Sequence, residues 1–258
     1  MPPSRTSPDL QSQLDQITAQ TRALVQPERL AVTDAAIHDL LAAGIESRIL
    51  PVGAAAPSFA LPAASATVLA APASGKLVRS GDLLALGPLI INFFRGRWCP
   101  YCVTELEAWQ ALYPAVRERG ALLVAISPQL PRQNDFLVQQ HSLTFPVLTD
   151  TGCALASQFG IAYTLPEPMR THLRAILINL PFIHGENKQD PDATWRLPLP
   201  ATFVIKPSTP SSRPTLSETK GSGETPALAS GIGGTIVFAE AHADHRVRPD
   251  PTDVLRAL

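Results

Sequence analysis

Two cysteines one helical turn apart, Cys99 and Cys102, are the residues of this chain best suited to chemistry. They stand in the run Arg95-Gly96-Arg97-Trp98-Cys99-Pro100-Tyr101-Cys102. The thiolate is the reactive form of cysteine, and a free thiol is mostly protonated at neutral pH. The surroundings here favour the thiolate. Before the pair, Leu89-Ile90-Ile91-Asn92-Phe93-Phe94 is a short apolar, β-prone run, as expected of a buried strand. After it, residues 101–119 are amphipathic, with Cys102, Leu106, Trp109, Tyr113 and Val116 recurring at helical spacing. The pair therefore falls at a strand-to-helix corner. Cys99 is expected at or near the helix N-cap, with Pro100 at the first helical position, where a missing N–H costs nothing. Unpaired backbone N–H groups and the positive end of the helix dipole then face Cys99. Arg95 and Arg97 add positive charge nearby. Together these influences predict a lowered pKa at Cys99, an exposed sulfur at the corner. Cys102 shares the helix face but points further inward. A disulfide closes if the Cα atoms lie near the usual spacing of about 5.5 Å. One sulfur attacks and the other resolves.

The competing use of such a pair is zinc, which as a structural ion usually takes four ligands. Only Cys153 remains as a further thiol, and the six histidines are scattered. Redox chemistry is therefore the preferred reading, and neither a metal nor an organic cofactor is implied. Trp98 is expected to shield the sulfur pair. Tyr101 reads as an exposed residue at the helix start. Cys153 begins a helix in Thr151-Gly152-Cys153-Ala154-Leu155-Ala156 and reads as packed and inert. No Gly-x-Ser-x-Gly is present, and Gly231-Ile232-Gly233-Gly234 leads into a strand, the wrong context for a nucleotide fingerprint.

Composition excludes several classes. The 258 residues carry a net charge of −1, so there is no basic footprint for nucleic acid and no acidic tail. The first residues lack the apolar core of a signal peptide. The longest apolar run, Leu83 to Phe94, is interrupted by Gly87, Pro88 and Asn92 and is too short to span a bilayer. Three cysteines, two of them in the pair, fit a reducing compartment, and a cytoplasmic location is expected.

The elements that must position the pair follow from periodicity. Residues 1–50 read as a helical N-terminal arm, with one helix marked by Leu10, Leu14, Ile17, Thr21 and Leu24. Pro27 breaks it, and a second helix runs over Thr33 to Ala43, stopped by Gly44. Residues 51–78 are rich in Ala, Pro and Ser and read as a loose connector with one or two short edge strands. Strands are expected at 89–94, 122–126 and 145–148, alternating with helices at 101–119, 131–141 and 152–159. A helix is expected over Arg170 to Leu177. Ala201 to Ile205 and Thr235 to Ala239 read as a hairpin, and Pro251 to Leu258 as a closing helix. The β-α-β-α order predicts an α/β domain, a central mixed sheet flanked by helices, over residues 51–258. Residues 206–234, dominated by Pro, Ser, Thr and Gly, are expected to be a disordered insertion in the hairpin.

Five motifs, in order, resemble the thioredoxin fold and, more narrowly, the peroxiredoxin-like branch of the alkyl hydroperoxide reductase / thiol-specific antioxidant family. They are Val52 to Pro62, Phe93 to Cys102, Leu123 to Gln129, Phe145 to Asp150 and Leu197 to Ile205. The resemblance implies a thioredoxin-like fold and an antioxidant thiol oxidoreductase that reduces hydroperoxides. Its electron donor would be thioredoxin or glutathione, and the subunit is a candidate homodimer. By this alignment Cys99 occupies the family's threonine position, and Cys102, followed by Val103-Thr104-Glu105, matches the peroxidatic cysteine. The helix corner instead favours Cys99 as the attacking sulfur. The family's arginine is expected just before the strand at Ala201, where this chain has Pro200, which resembles the cis-proline of thioredoxins. That position, if cis, leaves a backbone edge open for a substrate chain. A protein-disulfide reductase is therefore the alternative function, and a non-catalytic thioredoxin-like interaction module is a third.

Overall fold

The computed structural model describes residues 9–64, 77–208 and 233–258. The N-terminal arm forms α1 (Leu10–Leu24) and α2 (Pro27–Ala42). Asp9 caps α1, its carboxylate accepting from the Ser12 N–H at 2.8 Å. Pro27 does break the first helix, but it also starts the second, six residues earlier than the apolar pattern suggests. It sits in the first turn of α2, where it withholds no needed hydrogen bond.

A short antiparallel pair follows, β1 (Ala60–Pro62) with β2 (Leu77–Arg79), then α3 (Ser80–Leu84). The catalytic-looking corner lies between β3 (Leu89–Phe93) and α4 (Pro100–Glu118). Next come β4 (Leu122–Ser127), α5 (Pro131–His141), β5 (Val147–Thr149) and α6 (Ala154–Gln158). The helix expected over Arg170 to Leu177 is present as α7 (Glu167–Ala175), flanked by β6 (Ala162–Thr164), α8 (Leu180–His184) and β7 (Arg196–Pro198). β8 (Ala201–Pro207), β9 (Gly234–Ala241) and α9 (Pro251–Val254) complete the chain.

The main sheet has the order β5-β4-β3-β8-β9. β3, β4 and β5 run parallel, while β8 is antiparallel to both β3 and β9. The chain is thus an α/β protein with a central mixed sheet flanked by helices. β3 lies at the centre and is buried at every residue, which is why its sequence shows no alternation. Its side chains nevertheless split by parity. Leu89, Ile91 and Phe93 join a cluster with Phe159, Phe203 and Ile45 on one face. Ile90 joins Leu106, Trp109, Leu10 and Leu14 on the other, so α1 and α4 cover that face together. Asn92 shares parity with Ile90 and therefore points toward α4.

The segment between α6 and β8 builds a third cluster from Leu165, Met169, Leu173, Leu180, Ile183, Trp195 and Leu197. β6 and β7 pair antiparallel beneath it. Apart from α7, no periodic run announces these elements, because each is three to five residues long and its apolar partners are tertiary. The expected insertion falls mostly on residues 209–232, which lie outside the described residues, as do residues 65–76 of the connector.

Candidate active site

Cys99 is the N-cap residue of α4 and Pro100 takes the first helical position. The corner is held by its own backbone. The Cys99 N–H donates to the Gly96 carbonyl at 3.1 Å, and the Cys102 N–H donates to the Cys99 carbonyl at 3.1 Å. Gly96 adopts φ +153°, and a Cβ there would lie 2.4 Å from Trp98 Nε1 and 3.0 Å from Gln129 Oε1. A side chain at this position therefore displaces Trp98 from the sulfur pair.

Both sulfurs are buried. Cys99 is 2 % exposed rather than open at the corner, and Trp98 packs both on the cluster that contains it and on the third cluster. Tyr101 is likewise buried, not exposed. Its hydroxyl lies 3.2 Å from Thr18 Oγ1 of α1, and its ring meets His245 edge-on with centroids 5.4 Å apart. All three cysteines carry free thiols.

Burial is the largest influence on Cys99, and it opposes the thiolate. The Cys102 thiol hydrogen bond and the charges of Arg95 and Arg248 outweigh it, holding Cys99 at about 6, against an ordinary 9.0. Burial drives Cys102 the other way, well up. The hydrogen bond and charge of Cys99 add to that rise, and Arg248 and Arg95 oppose it. At neutral pH the pair is thus one thiolate and one thiol.

The cations differ from those expected. Arg95 is buried beside the sulfurs, its guanidinium 4.8 Å from the Trp98 ring centroid. Arg97 turns away: its Nε donates to Gln133 Oε1 at 2.9 Å and its guanidinium stacks on Phe136 of α5, 4.8 Å from the ring centroid. It is not among the cations that lower the Cys99 pKa. Its place is taken by Arg248, from the segment that returns over α4 after β9. Arg248 is fully buried; its Nη2 donates to Cys102 Sγ at 3.5 Å and its Nε to Glu105 Oε2 at 2.7 Å. The other Glu105 oxygen accepts from Asn92 Nδ2 at 2.7 Å, and the same amide reaches Thr202 Oγ1 at 3.2 Å. Burial pushes the Glu105 carboxyl up to about 7, Arg248 restrains it, and the neighbouring Cys102 adds to the rise.

Thr104 is half-buried on α4 and is not drawn into this network. Pro200 is buried, and its peptide bond is trans, not cis; no described residue has a cis bond. The chain runs from β7 into β8 with the Leu199 N–H donating to Ile161 and the Pro200 carbonyl accepting from the His242 N–H at 3.4 Å. That carbonyl is thus already engaged by His242, so the backbone-edge argument for a protein substrate falls. Cys153 stands at a helix start, as expected, as the N-cap of α6. Gly152 and Cys153 adopt left-handed φ of +65° and +58°, and α6 starts after them, its amides held by Asp150. Burial raises the Cys153 thiol well above its ordinary value.

Arg248 and Asn92 are the residues that sequence reasoning missed. A signal existed for both. Asn92 is a lone polar residue in an apolar strand, and Glu105 lies on the buried face of α4, three residues beyond Cys102. A carboxylate there requires a cation, yet nothing in the spacing says which of the arginines supplies it.

The model of the AhpC/TSA family matches residues 52–209, more than half of the chain. The chain belongs to the AhpC/TSA family. Among curated relatives, it is 31 % identical over 91 residues to the thiol-disulfide oxidoreductase ResA of Bacillus thuringiensis (strain Al Hakam), covering 34 % of this chain and 50 % of the relative. Over 106 residues it is 33 % identical to the ResA of Oceanobacillus iheyensis, covering 41 % and 52 %. The chain thus spans about half the length of the curated relatives it matches. Among solved structures, it resembles peroxidoxin BcpB of Mycobacterium tuberculosis, with a TM-score of 0.51, 17 % identity and coverage of 81 % of this chain and 96 % of that one. AhpC of the same organism gives a TM-score of 0.51 and 17 % identity, over 81 % and 91 %. At these identities the structures establish the thioredoxin-like fold. Among the described residues no three His, Cys, Asp or Glu side chains are placed to hold a metal, and no helix is long and apolar enough to cross a membrane.

Proposed function

We propose that this protein is a thiol-dependent peroxidase in which Cys99 attacks a hydroperoxide and Cys102 resolves the product. The observation that carries this reading is the burial of both sulfurs beside two buried guanidiniums, Arg95 and Arg248. A sulfur with 2 % exposure suits a small electrophile better than a disulfide on a protein surface.

The Cys99 thiolate attacks one peroxide oxygen, and the O–O bond breaks. The departing alkoxide or hydroxide takes a proton, while the two guanidiniums stabilise its charge. Cys99 is left as a sulfenic acid. Cys102 then attacks the Cys99 sulfur, water leaves, and a disulfide forms. Cys102 must lose its proton for that step. Glu105 lies in the same hydrogen-bonded unit and, with its carboxyl near 7, is suited to receive it. A thiol donor regenerates the dithiol, and of glutathione and thioredoxin the same burial favours the smaller, glutathione.

A second reading, disulfide reduction by the same pair, is favoured by the name and likeness of the ResA relatives. The two differ in electrophile. Reduced wild type, Cys99→Ser and Cys102→Ser are mixed with cumene hydroperoxide or with oxidised glutathione in a stopped-flow instrument. Peroxide oxidation far above that of a free thiol, lost in Cys99→Ser and kept in Cys102→Ser, supports the peroxidase. Peroxide rates of an ordinary thiol together with fast reaction of the disulfide transfer the assignment to the second reading.

A further inference from the structure

Arg95 is a buried cation with no carboxylate of its own. It is 5 % exposed, it makes no hydrogen bond or ion pair among the described residues, and its Nε lacks a partner. The Trp98 face, the cysteine pair, the buried Tyr163 phenol and His245 lie near it, and burial raises the phenol and lowers the imidazole, so neither supplies a negative charge. Glu105, the one carboxylate of the network, is already engaged by Arg248 and Asn92. A charge taken out of water in this way is stable only beside an opposite charge. In the reduced protein that charge is the Cys99 thiolate. Its low pKa is the reciprocal sign of the same pairing.

Oxidation removes the counter-charge. A disulfide between Cys99 and Cys102 carries none, whereas Arg95 keeps its proton. We propose that oxidation of the cysteine pair turns Arg95 into a site for a small monoanion, and that the anion it takes in turnover is the thiolate of the reducing donor. This rests on the dithiol–disulfide cycle proposed above. The donor thiolate attacks Cys99 Sγ and the S–S bond breaks. Cys102 leaves as a thiolate and is protonated, giving a donor–Cys99 mixed disulfide. A second donor thiolate attacks the donor sulfur, releasing a donor disulfide and restoring the Cys99 thiolate beside Arg95. The charge that oxidation removed thus returns with the reductant. The site discriminates by redox state, since in the reduced protein the thiolate already fills it.

Thiocyanate is the probe, at ionic strength held constant with potassium gluconate. Full-length protein is oxidised with one equivalent of hydrogen peroxide, and the Cys99–Cys102 bond is verified by mass spectrometry. Calorimetric titration is expected to show saturable thiocyanate binding to the oxidised form, roughly tenfold or more tighter than to the reduced form. Thiocyanate is also expected to slow reduction by 2-mercaptoethanol competitively. Oxidised Arg95→Gln should lose both effects, and Arg95→Lys, which keeps the charge, should retain part of each. The wild-type comparison between redox states needs no variant to fold. Equal binding in the two states, or binding that persists in a folded Arg95→Gln protein, overturns the anion site and leaves the cycle standing. Absence of a Cys99–Cys102 bond overturns the cycle and the anion site with it.

Discussion

The Cys99 thiolate links reactivity to stability, and the link is measurable. Its folded value of about 6 lies below the ordinary 9.0, so the difference is about 3 units. At about 1.4 kcal/mol per unit, the folded reduced protein gains about 4 kcal/mol from ionising this thiol. The sign follows from the direction of the shift. A depressed pKa stabilises the fold above the unfolded value and loses that contribution as pH falls through the folded one. The window is therefore pH 9 down to pH 6. Cys99→Ser removes the group. Urea denaturation of reduced wild type and of Cys99→Ser, at intervals from about pH 5 to pH 9, reads the effect, with Cys102→Ser as a third protein because Cys102 loses its coupling to Cys99 in the first variant. The gap between wild type and Cys99→Ser is expected to widen by about 4 kcal/mol across that range, a large share of the stability of an ordinary domain. Stability curves that run parallel from pH 5 to pH 9 would refute the claim that Arg95, Arg248 and the Cys102 thiol hold Cys99 ionised.

Arg248→Gln leaves Glu105 buried without its cation. We expect a loss of about 3–5 kcal/mol in denaturant unfolding, and a Cys99 pKa, read from thiolate absorbance, that moves up from about 6. In the wild type, the resolving step should accelerate as pH rises through about 7, where Glu105 ionises. Glu105→Gln should carry that limb toward the much higher pKa of Cys102, seen in stopped-flow traces of disulfide formation. A limb unchanged by the substitution would remove Glu105 from the proton path. Cys153→Ala should leave the peroxide oxidation rate within about twofold of wild type and cost about 1 kcal/mol of stability for the lost volume. A rate loss of an order of magnitude would make this thiol part of the chemistry.

Much of the corner was legible in the sequence. The apolar run of β3, the N-cap at Cys99, Pro100 at the first helical position and the spacing of Leu106, Trp109 and Val116 are local signals. They act within a few turns of chain, where backbone sterics, missing N–H groups and helical periodicity decide the outcome. The β8–β9 hairpin was legible for the same reason, despite the long segment between its strands. The start of α2 and the kink at Gly152-Cys153 were misjudged by local rules: proline reads alike as a stop and as a first residue, and a left-handed pair can precede a helix.

Electrostatics belonged to the tertiary structure. Arg95 and Arg97 stand two residues apart in one loop, yet one is buried beside the sulfurs and the other stacks on Phe136. Nothing in their sequence neighbourhood separates them; the packing of α5 and of Trp98 does. Arg248 lies 143 residues from Glu105 and 146 from Cys102, so no spacing rule connects them. The burial of Cys99 was decided the same way, by α1, the segment around Val254 and Leu255 and Trp98 packing into the cluster that holds it. Sequence alone determined that this chain presents a Cys-x-x-Cys pair at a strand-to-helix corner of an α/β fold. That Cys99 is the more acidic sulfur was also expected from the corner; which cations hold it so, and how deeply it is buried, were decided only when distant segments closed over that corner. Charge and solvent access depend on what lies nearby in space, and local periodicity does not encode that.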